Sequence, residues 1–301
     1  MKRAVFKFRF NTAVHFGAGS LGGTDYTLHA DTLYSALYIE AVKSGDAQRF
    51  YAASKEGGLL ISDAYPCSGR EFFLPKPMIR IKSAGRDDVS ERKKYKKLQY
   101  VQASEWDRYL KGGTDIDSIQ TDFGRYELLT RAAVSGKEET LPYQVDTFTF
   151  FDKCGLYFIL MYEDEADYNL MLKLLELLSY SGIGGKRSSG LGRFEAVRSA
   201  ESEALEEIFG RNGKQYMLLS GALPKDEEGG HVLEGASYLL EKRSGFVASE
   251  NYAPEWRKKK DMYIFKAGSC FNEKFAGDIY DVSEGGRHPV YRYAKGMFLG
   301  I

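Results

Sequence analysis

Apolar and polar positions alternate strictly from Val5 to Phe10. Phe6, Phe8 and Phe10 fall on one face; Val5, Lys7 and Arg9 fall on the other. A period of two places alternate side chains on opposite faces, so the spacing predicts a strand with an aromatic core side and a basic, open side. The period then lengthens. Leu33, Ala36, Leu37 and Ala41 recur at helical spacing, with Asp31 placed as the N-cap and Gly45 as the stop. Two short apolar runs, 58–61 and 71–74, predict strands on either side of a turn at Pro66 to Gly69. Strand, helix, strand, strand is the front of a ferredoxin-like βαββαβ unit.

The pattern restarts after residue 150. The run from Gly155 to Met161 is apolar on both faces, which predicts a buried strand. Asp164 or Asp167 can cap the helix that follows, in which Leu170, Met171, Leu174, Leu175 and Leu178 repeat at helical spacing. A glycine-rich stretch, 179–194, ends that helix and leads into an apolar segment from Phe194 to Val197. Between the two patterns lies an insertion, about 76–148, which closes with a hairpin: Tyr126 to Val134 and Thr140 to Phe148 flank the turn Ser135-Gly-Lys-Glu. Further strands are predicted at Tyr216 to Leu223, Ser237 to Leu240 and Met262 to Phe265. The fold expected is α+β, with two ferredoxin-like (RRM-like) βαββαβ domains, 1–150 and 151–301. The first carries a basic insertion and a projecting hairpin, and the second carries the glycine-rich loop.

Composition changes this picture little. Lys+Arg and Asp+Glu both number 42 in 301 residues, so any charge argument has to be local. Cys67, Cys154 and Cys270 are far apart and odd in number, which argues for a reducing compartment and against a disulfide framework or a structural zinc site. Charge returns too early after Met1 for a signal peptide, and no apolar run approaches a membrane span. A cytoplasmic protein is expected.

Local charge points to phosphate. In the glycine-rich stretch, Gly182, Gly184, Gly185, Gly190 and Gly192 bracket Lys186, Arg187, Ser188 and Ser189. Glycine allows backbone N–H groups to converge on an anion, the cations add charge, and the serines add donors. From Gly182 to Arg198, Lys186, Arg187, Arg193 and Arg198 stand against Glu195. A flexible basic turn is the plainer alternative. A kinase-like nucleotide loop would run from strand to helix, the reverse of the order here. From Lys76 to Lys97, nine cations face three acids, which suits either nucleic-acid contact or a solvated face. The hairpin, with Arg125 and Arg131, could hold a partner chain or a nucleic-acid strand, or be an ordinary surface hairpin.

Four histidines, His15, His29, His231 and His288, leave room for acid–base chemistry. His15 or His29 beside Lys186 could serve a metal-independent ribonuclease. Against this, His29 lies two residues before the expected cap, where a packed histidine is the simpler reading, and Asp31 is more simply a cap than a catalyst. No two histidines have metal-ligand spacing, and the Asp87-Asp88 pair lies in a basic run. No metal and no cofactor is expected.

Five pieces occur in order: His15-Phe-Gly, Leu28-His-Ala-Asp-Thr-Leu33, Leu74-Pro-Lys-Pro77, the glycine loop, and His288-Pro-Val-Tyr-Arg-Tyr293. As an ordered set, they resemble the fourth-subunit family of the Csm complex, the type III-A CRISPR effector, within the RAMP superfamily. The resemblance spans both ends of the chain, but nothing matches between residues 200 and 260. It implies a subunit that caps one end of a ribonucleoprotein filament. Such a subunit grips the 5′ repeat-derived tag of the crRNA, docks the large signalling subunit and abuts the adjacent backbone RAMP subunit. No catalytic residue, membrane or direct DNA contact is implied. The alternative kept beside it is a metal-independent endoribonuclease processing CRISPR repeat RNA. Carried over by motif, the RNA-binding candidates are Gly182, Gly184, Gly185, Lys186, Arg187, Ser188, Ser189, Gly190, Gly192 and Arg193. Lys7, Arg9 and His15 join them by position on the expected open sheet face.

Overall fold

A computed structural model describes residues 1–17, 22–81, 89–132, 142–200, 202–249 and 251–301. Its centre is one antiparallel sheet. Strand β1 (Lys2–Phe10) is followed by the short pair β2 (Phe16–Gly17) and β3 (Thr24–Asp25), then by helices α1 (Ala30–Ser44) and α2 (Ala47–Lys55). Strands β4 (Leu59–Ile61), β5 (Tyr65–Ser68) and β6 (Glu71–Pro75) come next, then α3 (Val89–Lys97), β7 (Tyr100–Gln102) and α4 (Trp106–Leu110). The hairpin β8 (Gly124–Ala132) and β9 (Pro142–Phe150) precedes β10 (Cys154–Tyr162), α5 (Glu165–Ser181) and β11 (Phe194–Ser199).

The sheet order is β11-β1-β10-β5-β6-β7, with β4 also paired to β10. Reduced to β1, β4/β5, β10 and β11 with α1 and α5, this has the connectivity of one βαββαβ unit. β1 pairs with β10 from Lys2↔Tyr162 to Phe8↔Leu156, and with β11 from Val5↔Ser199 to Phe10↔Phe194. The expected domain boundary at residue 150 therefore falls inside a continuous sheet. The second strand–helix–strand completes the first unit and does not begin another. A long insertion separates β5 from β10, which made one unit look like two.

Side-chain periodicity explains the layers. Phe6 and Phe8 on β1, with Phe158 on β10, turn toward α1 and α5, and Phe6 and Phe158 stack with ring centroids 5.4 Å apart. Leu33 and Leu37 from α1 meet Leu170, Met171, Leu174, Leu175 and Leu178 from α5 there, all buried. Each such side chain contributes about 1.5–3 kcal/mol of transfer free energy. Asp164 caps α5, its carboxylate accepting from Ala166 N at 2.9 Å. α1 starts differently from the expectation. His29 is the N-cap and makes no side-chain cap bond, while Asp31 is buried in the first turn. The carboxylate of Asp63, from beyond β4, accepts from Ala30 N at 2.8 Å and takes the capping role.

The other sheet face is not open. Val5, Tyr157 and Ile159 pack against α6 (Glu203–Phe209) and strand β12 (Tyr216–Leu218) through Leu205, Ile208, Met217 and Leu219. Leu98, Val101, Trp106 and Tyr109 from the insertion join that core. The chain then runs through α7 (Gly229–Val232), β13 (Leu240–Arg243), β14 (Met262–Phe265), β15 (Cys270–Phe271), β16 (Gly277–Asp281), β17 (Tyr291–Lys295) and β18 (Phe298–Gly300). These strands form a three-stranded sheet, β15-β12-β18, and two hairpins, β13-β14 and β16-β17. Among the described residues this is not a second four-stranded βαββαβ sheet, which corrects the two-domain expectation. Much of the charged run, residues 82–88, and the hairpin turn at 135–138 lie outside the described residues.

Candidate nucleic-acid interface

The glycine-rich loop leaves α5 at Gly182 and enters β11 at Phe194, as the sequence predicts. It is built onto the segment after β1. Gly185 N donates to His15 O at 2.8 Å, Gly192 N to Ala13 O at 2.9 Å, and Asn11 N to Arg193 O at 2.9 Å. Two glycines are required by this packing. Gly184 has φ +92°, and a Cβ there would lie 2.8 Å from His15 O. Gly192 has φ +72°, and its Cβ would overlap the Ile183 carbonyl. Neither backbone conformation nor space admits a side chain at these positions. The close approach that these glycines permit is to the chain itself. The N–H groups of Gly182, Gly185, Gly190 and Gly192 already donate to Leu178, His15, Arg187 and Ala13 carbonyls, so they do not point at an anion.

The donors that remain lie at the loop's crest. Lys186 sits in the left-handed region, φ 58°, and starts a short 3₁₀ turn over Arg187–Ser189. The first N–H groups of such a turn have no partner within it. Those of Lys186, Arg187 and Ser188 have no acceptor among the described residues, and the Ser188 and Ser189 side chains are exposed.

The hairpin holds one side of this loop. Val14 bridges Phe148 of β9, His15 Nδ1 lies 2.7 Å from the Asp146 carbonyl, and Lys186 Nζ lies 4.6 Å from the Tyr143 ring centroid. His15 is 5% exposed and packs between the loop and the hairpin, a positioning role. Lys7 and Arg9 are not part of this assembly. They project from the sheet face away from α1 and α5; Lys7 Nζ donates to Gly69 O at 2.7 Å and stands over the Phe72 ring. Arg193 is exposed at the start of β11.

Beside the loop opens a cleft of about 950 Å³. Gly184, Gly185 and Arg187 line one wall, Phe16 and His29 the floor, and Arg243, Phe246 and Lys258 the far wall. The far wall comes from 240–261, where the sequence carries no clear periodicity. Its signal is visible only as Trp256-Arg-Lys-Lys-Lys260, a basic run opened by an aromatic residue.

A buried ionic cluster ties this wall to α1. Arg243 forks onto Asp31 (Nη2–Oδ1 2.8 Å, Nε–Oδ2 3.1 Å), and Arg292 Nη1 reaches Asp31 Oδ2 at 2.7 Å. Burial alone would raise the Asp31 carboxyl, but Arg243 first, then His29 and Arg292, hold it far below the usual carboxylate range. His29 joins the same network, Nδ1 3.3 Å from Asp63 and Nε2 3.2 Å from Glu241. Burial pushes the His29 pKa down, yet the Asp63 hydrogen bond and both carboxylate charges outweigh it, and the net direction is up. A pKa raised on folding stabilises fully below the unfolded value, about 6.5, and is lost as pH rises through the folded one. Thermal stability should therefore fall as pH rises through and above about 6.5. His29→Gln should flatten that part of the profile, measured by melts across pH; an unchanged slope would contradict the assignment.

The comparisons with known proteins agree with this architecture. Residues 7–195 match the model of the RAMP superfamily, and residues 211–301 match the CRISPR Csm4 C-terminal domain. The class is thus a RAMP protein, its first 195 residues built around the βαββαβ sheet. The chain is 36% identical over 305 residues to the CRISPR system Cms protein Csm4 of Mycobacterium tuberculosis, covering 100% of this chain and 98% of that one. It is 34% identical to the Csm4 protein of Streptococcus thermophilus, covering 95% of each. The chain belongs to the Csm4 family. Its fold resembles a chain of the Csm3–Csm4 subcomplex in the type III-A CRISPR-Cas interference complex (TM-score 0.69, 17% identity, 100% and 99% of the two chains covered). It also resembles a chain of the Csm1–Csm4 cassette in complex with pppApA (TM-score 0.65, 18% identity, 100% and 98% covered). No helix of the described residues is long and apolar enough to cross a membrane.

Proposed function

We propose that this chain is a non-catalytic, RNA-binding subunit of a type III-A CRISPR interference complex. It grips the 5′ repeat-derived tag of the crRNA and links the large signalling subunit to the backbone filament. The observation that carries this reading is the crest of the glycine loop, with N–H groups at Lys186 to Ser188 that have no acceptor among the described residues, two cations, and the cleft beside them. Such an array positions a phosphate backbone without reading sequence. The phosphate contacts lie at Lys186, Arg187, Ser188 and Ser189. Gly182, Gly184, Gly185, Gly192 and His15 shape the loop, while Lys7 and Arg9 stand apart on the far sheet face. The assemblies named for Csm4 relatives, with Csm1 and with Csm3, support the same two protein partners here.

The histidines support a non-catalytic role. His15 is packed onto a backbone carbonyl, and His29 is held between two carboxylates in a cluster that also fixes the cleft wall. Incubating the chain with repeat-derived RNA, and scoring binding alongside cleavage, separates the two readings. Binding with intact RNA is expected. Cleavage that His15→Ala or His29→Ala abolishes in a folded variant would install the endoribonuclease instead.

A further inference from the structure

The cleft's far wall carries Phe246, and Trp256 stands against it; packing explains the exposure of neither ring. Phe246 is 52% exposed and Trp256 is 82% exposed, whereas the other tryptophan, Trp106, is 1% exposed. The two rings meet edge to face, centroids 6.2 Å apart at 77°. They sit on a firm base: Phe246 bridges Lys258, with Val247 N donating to Arg257 O at 2.9 Å and Lys259 N to Gly245 O at 2.8 Å. Val247 and Tyr252 anchor this ribbon in a small core with Val282 and Val290. Bridge partners share a face, so Phe246, Trp256 and Lys258 stand together, and Lys258 Nζ lies 5.8 Å from the Phe246 centroid. Lys259 alternates to the inner side, near Arg292, Asp31 and Arg243.

Charge decides what this surface fits. Three acids line the cleft: Glu241 is held by Arg243 and His29, Asp261 by Lys242 at 2.7 Å, and Asp25 is exposed beside Phe16 near the glycine-loop wall. Arg257 and Lys258 form no ion pair among the described residues. Exposed aromatic faces beside uncommitted cations, across a cleft from phosphate-binding donors, match single-stranded RNA. Its bases stack on aromatic side chains while cations follow its backbone.

We propose that Phe246 and Trp256 form a stacking platform for an unpaired base of the RNA strand held at the glycine loop, with Lys258 on the adjoining phosphate. This rests on the RNA-gripping reading above and adds a second wall to it. The test uses the full chain, a short labelled single-stranded RNA of repeat-derived sequence, and the same strand with abasic sites. Affinity is read by anisotropy across salt, and Trp256 emission by fluorescence, with buried Trp106 as the internal reference. Trp256→Ala and Phe246→Ala should each weaken binding about 5- to 150-fold, the range for losing one stacked base, with the salt slope unchanged. Trp256→Phe should restore most of the affinity. RNA should quench the exposed tryptophan, and the abasic strand should not. Normal binding by both alanine variants with unmoved emission would overturn the platform and leave the loop's grip standing. If the wild-type chain bound no RNA, the gripping reading would fall and the platform with it. Unchanged RNA binding with lost capture of a partner subunit would make this patch a protein interface and also overturn the platform.

Discussion

Replacing Asp31 by alanine should cost about 3–5 kcal/mol of folding free energy, the cost of leaving buried charge uncompensated. The carboxylate is 5% exposed and is shared by Arg243 and Arg292, the latter 4% exposed. Asp31 is the acid that Arg292 bonds, and the Arg292 Nε and Nη2 have no hydrogen-bond partner among the described residues. Lys259, its own pKa lowered by burial and by Arg292, adds a third cation nearby. Removing Asp31 thus leaves clustered positive charge in a low-dielectric site. Urea unfolding should show the loss as a shifted midpoint. Asp31→Ala with Arg292→Met should recover part of it, because an apolar replacement removes a cation that needs solvation. The depressed carboxyl fixes the pH window. A lowered folded-state pKa stabilises above the unfolded value, about 3.9, and is lost only as pH falls through the folded one. Near neutrality the carboxyl itself does not titrate, so any pH dependence of the mutational cost there comes from His29 in the same cluster. A change within about 0.5 kcal/mol, the scatter of ordinary surface substitutions, would contradict the cluster's structural role.

This cluster also marks where the sequence stops being readable. Asp31 has the composition and place of an N-cap, yet α1 begins two residues earlier than such a cap would give, and Asp63 accepts from its first N–H, at Ala30. No local pattern encodes a cap supplied from a distant link, here the one between β4 and β5. The sheet strands were legible because their signal is local: the alternation in β1, the unbroken apolar run of β10 and the leucine spacing of α5 each hold within one element. Their pairing is not local. β1 and β10 are seven register pairs long but are separated by the whole insertion, so one βαββαβ unit reads as two halves. α2 leaves little trace because only Phe50 and Ser54 on it are buried. The short strands after residue 216 are stabilised by contacts with one another and carry little period of their own.

The candidate site divides the same way. The glycine loop was recognisable by composition, but the reason for its glycines was not. Gly184 and Gly192 fit against His15 and Ile183, a contact only the folded chain creates. The face that Lys7 and Arg9 share with Val5 is covered in part, around Val5, by Leu205, Ile208 and Met217, which come some two hundred positions later, while Arg9 stays exposed. Arg243 and Phe246 lay in the stretch where nothing was legible, and tertiary placement alone sets them across the cleft from Arg187, with Trp256 against Phe246.

In the function proposed above, the crest of the glycine loop grips RNA by its phosphates. Lys186 and Arg187 are the cations there, with Lys186 braced on Tyr143 and Arg187 on the Gly182 carbonyl at 3.4 Å. Each phosphate contact on a single strand releases bound counterions, and the logarithm of affinity falls by about 0.7 per decade of salt for each. Removing both cations should therefore flatten the salt slope by about 1.4 and weaken binding at low salt by about 1–3 kcal/mol, evenly across RNA sequences. Neither side chain supports the core, so the unfolding midpoint should stay put. The direct measurement is the affinity of the full chain for single-stranded repeat-derived RNA at several salt concentrations, wild type against Lys186→Ala/Arg187→Ala. A flatter slope, a uniform loss of affinity and an unchanged midpoint are the result expected. The same slope and affinity in both proteins would contradict the account, and the loop would then be a turn that closes the fold.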